Sequence, residues 1–368
     1  MRVPVPDSIK EGRLPRGQAP TVRDVAIRAG VGIATVSRVL NKSTLVAPAK
    51  AEKVLQAIQE VGYKLPLSQG NGSTRRMRIK PAKLKHHSVC LLLIGHRTLR
   101  WITNCAPVYA YAIESVESSL RRLKVNCMIR NVHEPAELES LKGMRVDGFL
   151  IHGAGDWNEW PAELRAYPGI SMLGQPASGW GDCVTYNNVS TGRLAADYLL
   201  SRGCRHVAIA GATGGDILGG VFAVRREAFT TRMTIAGATV LDISNTHLMQ
   251  ASPDIQMPNE DVLRACIDKF LASSPRPEGL FITADVVAPP LYRELERRGI
   301  TPGVDLHVVS CNNERSYLTQ LKTQPAVVDI QSGQIGARAV ESLFWKLQNP
   351  YALRQSILIE PVWHLPRS

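Results

Sequence analysis

An α/β protein with a small helical domain at its N-terminus is the architecture this sequence predicts, and three observations carry the prediction. Residues 20–63 hold three short helical patterns, the first two joined by Gly30-Val31-Gly32. From Ser88 onward, β-rich apolar runs alternate with helical patterns, the signature of parallel sheets crossed by helices. Ten such strands exceed one comfortable sheet, so two similar doubly wound halves are expected.

Residues 1–19 carry prolines and charges but no apolar h-region, and read as a disordered extension rather than a secretory signal. Thr21 can cap a first helix in which Val22, Val25, Ala26 and Ala29 recur at helical spacing. Glycines 30 and 32 break it. A second helix from about Ile33 to Asn41 turns Val36, Val39 and Leu40 inward and Ala34, Thr35, Ser37, Arg38 and Asn41 outward. Pro48 suits the first turn of a third helix, which buries Val54, Leu55, Ile58 and Val61. Two small helices joined by a glycine turn and braced by a third make a helix-turn-helix over residues 20–64. The outer face of its second helix is small, polar and basic, as a major-groove reader must be.

The charge distribution points to the same partner. Residues 1–87 hold 17 Lys/Arg against 5 Asp/Glu, whereas residues 88–368 hold 27 of each, so the whole net charge of +12 sits in the first quarter. An imbalance confined to one small domain and its flanks fits a polyanion better than a general solubility device. A generic three-helix interaction module is the bland alternative, and it leaves that asymmetry unexplained.

Residues 65–87, LPLSQGNGSTRRMRIKPAKLKHH from Leu65, are rich in Gly, Ser and basic residues and read as a linker. Strands are expected at Val89–Ile94, Asn126–Arg130, Gly148–His152, Ile170–Leu173 and Val184–Tyr186. A second set is expected at Val207–Ala210, Val240–Ile243, Leu280–Thr283, His307–Ser310 and Val327–Ile330. Helices between them fall near Tyr109–Leu123, Val189–Arg202, Val221–Ala236, Glu260–Ala272 and Pro289–Arg298, long enough for right-handed crossovers. No apolar run approaches the ~20 residues that cross a bilayer. Seven scattered cysteines without C-x-x-C spacing suggest neither disulfides nor zinc, and a cytoplasmic location is expected.

The stretch TVRDVAIRAGVGIATVSRVLN resembles the headpiece of the lac repressor (LacI/GalR) family of bacterial transcription regulators. RVDGFLIHG, DYLLSRGCRHVAIAG and RPEGLFITADVVA resemble that family's effector-binding core, so the similarity spans about residues 20–365. The resemblance implies a periplasmic-binding-protein-like core whose chain crosses between the halves near Asn187, Gln331 and Ile359. One half would then comprise residues 88–187 and 331–358, the other 188–330 and 359–368, with a helix at about Gly333–Leu347 returning to the first. It implies base readout through Ile33, Ala34 and Arg38, with Thr21, Thr35, Ser37 and Asn41 on phosphates.

Ligands of open α/β sheets bind beyond the carboxyl ends of strands. Asp285, Asn312, Asn187 and Gln331 each follow a strand candidate, and Arg225 opens a helix after a Gly-rich loop. Each alone reads equally well as a cap or a surface polar residue. By resemblance they match the family's effector contacts, and Tyr109 matches an aromatic position lining the cleft. Asn stands at 187 and 312 where the family often has Asp, so the pocket is expected to be less anionic, with Arg225 opposed chiefly by Asp285. That weakens any particular sugar identity and admits a sugar acid. The linker departs too: Gly70 and Gly72 disfavour the family's hinge helix, and Ser73 stands near its wedging leucine.

No H-E-x-x-H, G-x-S-x-G or phosphate-cradling glycine pattern occurs, and no cofactor, metal or catalytic group is expected. The expected protein is a DNA-binding transcriptional repressor, a homodimer on a palindromic operator, whose affinity is controlled by a small sugar-like or sugar-acid ligand. A solute-binding protein of a transport or sensing system is the alternative on the same core. An enzyme is third.

Overall fold

The computed structural model describes residues 21–40, 48–61, 84–95, 102, 104, 106–153, 160–174, 180–211, 219–245, 247–251 and 256–364. The expectations for residues 1–19, Asn41, most of the linker and the Gly-rich loop before Arg225 lie outside them. The chain divides into two compact units, residues 1–78 and 79–368.

In the first unit, α1 (Val22–Ala29), α2 (Ile33–Leu40) and α3 (Pro48–Val61) pack around Val25, Ala26, Val36, Val54 and Ala57. Thr21 opens α1 with a capping box: its hydroxyl oxygen accepts from Asp24 N–H, and the Asp24 carboxylate accepts from Thr21 N–H at 2.7 Å. Gly30 ends α1 at φ 63°, a left-handed conformation that costs glycine nothing. An Arg28–Glu60 ion pair joins α1 to α3.

The second unit begins with β1 (Ser88–Ile94), α4 (Pro107–Arg122), β2 (Asn126–Val132), β3 (Gly148–Gly153), α5 (Ala162–Arg165), β4 (Gly169–Met172) and β5 (Asp182–Tyr186). It continues through α6 (Asn188–Ser201), β6 (His206–Ala210), α7 (Gly219–Ile235), β7 (Thr239–Asp242), β8 (Met249–Ala251), β9 (Gln256–Pro258), α8 (Glu260–Ala272), β10 (Gly279–Ile282) and α9 (Ala288–Arg297). β11 (His307–Cys311), α10 (Arg315–Leu318), β12 (Ala326–Asp329), α11 (Ser332–Gln348), β13 (Ser356–Ile359) and β14 (Val362–His364) complete it.

Two six-stranded sheets result, in the orders β13-β5-β4-β3-β1-β2 and β14-β12-β11-β10-β6-β7. Every pairing within these two sheets is parallel except β12 with β14, and β8 and β9 form a separate antiparallel pair. Buried on both faces, the central strands are continuous apolar runs, as SVCLLLI shows: Val89, Leu91 and Leu93 meet α4 and α11, while Cys90, Leu92 and Ile94 pack with Trp160, Leu164 and Trp180. The second sheet does the same, with α8 and α9 on one face and α6 and α7 on the other. The chain passes from the first sheet to α6 after Tyr186, and α11, which follows β12, packs back on the first lobe. It passes again between β13 and β14. Among the described residues, no helix is long and apolar enough to cross a membrane.

Candidate functional site

The outer face of α2 begins with Ile33, 51% exposed, and continues to half-buried Thr35. Ala34, Ser37 and Arg38 lie on the same helix, their side chains outside the description. Thr21 is exposed, but its hydroxyl already donates to Asp24 Oδ2 at 2.6 Å, so a phosphate would have to compete with the helix's own cap.

In the core, the carboxyl ends of β5, β10, β11 and β12, the start of α4 and the first half of α7 hold the other singled-out residues. Arg225 is the largest fully buried side chain among the described residues, 1% exposed. Its backbone is fixed by α6: a Cβ at Gly192 would stand 2.3 Å from Arg225 O, so only glycine permits this helix approach. The guanidinium donates from Nη1 to Thr283 O and to Asn312 Oδ1 (3.2 Å), and from Nε to Asn188 Oδ1 (3.1 Å). The Tyr186 ring lies 5.6 Å from it and the Phe222 ring 5.7 Å.

This corrects the expectation that Arg225 is opposed chiefly by Asp285, because neither a hydrogen bond nor an ion pair joins them among the described residues. Asp285, fully buried, accepts instead from the Ser310 hydroxyl and from Glu314 N–H at 2.7 Å. Asn312 and Asn313 both take positive φ, 103° and 64°, which short amide side chains tolerate, and that double turn brings Glu314 back over Asp285.

Glu314 itself was not singled out, and the structure makes it a central group. Its carboxylate accepts from Asn312 Nδ2 at 3.1 Å and, from the other lobe, from Val108 N–H at 3.3 Å. A second carboxyl therefore stands where the two lobes meet, two residues beyond Asn312. Burial pushes the Asp285 carboxyl well above the usual carboxylate range, and nearby Glu314 pushes the same way. Burial raises Glu314 to about 7. Two close carboxyls out of water hold a proton that exposed ones would release.

The remaining residues make other contacts. Asn187 caps α6, its Oδ1 accepting from Ser190 N–H at 3.1 Å, while its Nδ2 donates to Glu360 at 2.7 Å; the neighbouring Asn188 is the one that reaches Arg225. Gln331 sits at φ 58° before α11, its N–H on Asp329 Oδ1. Tyr109 is buried against His152, ring centroids 4.2 Å apart.

Comparisons with known proteins concur. Residues 21–65 match the family described as bacterial regulatory proteins, lacI family, and residues 196–367 match the periplasmic binding protein-like domain. The chain is 27% identical to the HTH-type transcriptional repressor PurR of Pasteurella multocida over 352 residues, 93% of this chain and 96% of that one. It is 29% identical to PurR of Pectobacterium carotovorum over 309 residues, 80% and 81% of the two. Among solved structures, the transcriptional regulator CelR–cellobiose complex superposes with a TM-score of 0.60 at 21% identity, covering 94% of this chain and 98% of that one. The lac repressor dimer bound to operator and the anti-inducer ONPF superposes at 0.59 and 16%, covering 95% and 98%.

Proposed function

The chain belongs to the lac repressor family of bacterial regulatory proteins, and from that premise we propose that it is a cytoplasmic transcriptional repressor, not an enzyme, that binds operator DNA as a homodimer and a small polar ligand in its core cleft. The observation that carries the reading is the coexistence in one chain of a helix-turn-helix whose α2 presents an exposed face and a two-lobed core with buried polar side chains at its strand ends. The solute-binding alternative leaves the headpiece and its basic flank without a purpose.

Ile33, Ala34 and Arg38 read bases in this proposal, and Thr21, Thr35, Ser37 and Asn41 contact phosphates. Arg225, Asp285, Asn312 and Glu314 line the ligand site, with Asn188, Tyr109, Asn187 and Gln331 around them. A ligand seated there touches segments from both lobes, so its binding changes their relative closure, which is a coupling free energy between two sites. With two buried carboxyls beside one arginine, a neutral polyhydroxylated ligand suits the cleft better than a sugar acid.

The test is sequence-resolved DNA binding by the full chain. An arginine on guanine edges discriminates by about 1–3 kcal/mol, so Arg38→Ala should flatten sequence preference. Replacing Lys80 and Lys83 by alanine should weaken all sequences evenly and reduce the salt slope. Equal loss on selected and random DNA in both variants would overturn the division between base and phosphate contacts. Asp285→Ala should leave ligand-free operator binding nearly intact while abolishing ligand response.

A further inference from the structure

The first turn of α4 lacks a cap of its own. Its N-cap residue is Ala106, which has no side-chain acceptor, and Pro107 follows. Orphan N–H groups at a helix start need an acceptor, and an anion is favoured there by the helix dipole. The acceptor comes from the opposite lobe: Glu314 Oε1 takes the Val108 N–H, bridging 206 positions of chain. Behind it runs an unbroken series of hydrogen bonds, from Glu314 to Asn312, from Asn312 to Arg225, and from Arg225 to Asn188 at the start of α6.

We propose that Glu314 is an inter-lobe clasp, a carboxyl of one lobe capping a helix of the other, and that closing the cleft is coupled to uptake of a proton by Glu314. The inference rests on reading the cleft as one that opens and closes, but its readout involves neither DNA nor effector. It can therefore fail while the repressor reading stands, and the reverse.

The sign follows from what surrounds the pair. Asp285 lies directly behind Glu314 on the turn after β10, and Tyr292 of α9 faces Asp285. Arg225 on α7 is a buried cation, Cys311 interacts with both it and Asp285, and Tyr111 of α4 and Arg315 are further charged and titratable neighbours among the described residues. Hydrogen bonds from Val108 and Asn312 and the charge of Arg225 favour the carboxylate, but burial outweighs them and the net direction is upward, to about 7. An open cleft returns Glu314 to water, where a glutamate titrates near ~4.3. The closed form thus binds a proton that the open form releases, and closure strengthens as pH falls. With these two values, lowering pH from 8 to 6 raises the closing constant about tenfold.

The experiment is millisecond hydrogen exchange on the full-length protein at pH 6, 7 and 8, corrected for intrinsic rates and resolved to the Val108 amide by fragmentation. Wild type should gain about tenfold protection at Val108 from pH 8 to 6. Glu314→Gln keeps an acceptor but cannot titrate, so its Val108 protection should be high and flat with pH. Glu314→Asp is one methylene shorter and should lose Val108 protection at every pH while protection of 206–210 stays intact, reporting that the lobe is folded. A wild-type profile flat within twofold, or a tenfold slope surviving in Glu314→Gln, overturns the proposal.

Discussion

Removing the guanidinium of Arg225 leaves Thr283 O, Asn312 Oδ1 and Asn188 Oδ1 without their donor inside the core. Hydrogen bonds to a charged group are worth about 1.5–3 kcal/mol each, and the lost desolvation cost of the charge offsets part of that. Arg225→Met should therefore destabilise the core by roughly 3 kcal/mol, read as a lower urea midpoint at unchanged m. It should also raise the carboxyls of Asp285 and Glu314 further, because Arg225 lowers both. Arg225, Asp285 and Asn312 were legible in the sequence because each follows a strand or loop end at a position the family resemblance marks. Glu314 was not. Its role arises from two successive left-handed asparagines and from the approach of a helix far away in the chain, and neither leaves a local pattern. Asn187 was singled out where its neighbour Asn188 makes the contact, a distinction set by which of the two caps α6.

Helices and strands of the core were readable because their signals are long and repeated. Strands buried on both faces are continuous apolar runs, and their limits in the structure differ from the expected ones by only one or two residues. The β8–β9 hairpin went unseen because three-residue strands carry no period, and the late strands β13 and β14 are half-exposed edges without a strong apolar run. Packing between elements leaves fainter traces still. Gly192 sits inside α6, where its propensity is poor, and the close approach of α7 explains it, since a Cβ there would stand 2.3 Å from Arg225 O. Gly192→Ala must push α6 from α7 and should cost about 1–3 kcal/mol by overpacking, despite alanine's better helix propensity. Chemical denaturation decides the sign. In the headpiece, Thr21→Ala removes the capping-box acceptor of α1 and should cost about 1 kcal/mol, seen as a lower melting temperature of the headpiece transition.

At the scale of the whole molecule, the concentration of positive charge before residue 88 gives DNA affinity to one unit, and the electrically balanced remainder carries the ligand cleft. The linker between them carries an expectation about DNA bending. Wedging a side chain into a base step costs a few kcal/mol, recovered only by an apolar insert, and Ser73 offers none. Little central kinking is expected on circularly permuted operator fragments, whereas a sharp kink lost in Met77→Ala would locate the wedge there. The sheet order adds a consequence of another kind. Each lobe receives its outermost strand, β13 or β14, from the final stretch 356–364, and the first lobe also waits for α11. During synthesis at ~5–20 residues per second, the headpiece helices, complete by Val61, are made roughly 15–60 s before the last strand. For that interval a nascent headpiece exists without a finished core, and any chain that stops short of residue 356 stays in that condition, with neither lobe given its outermost strand.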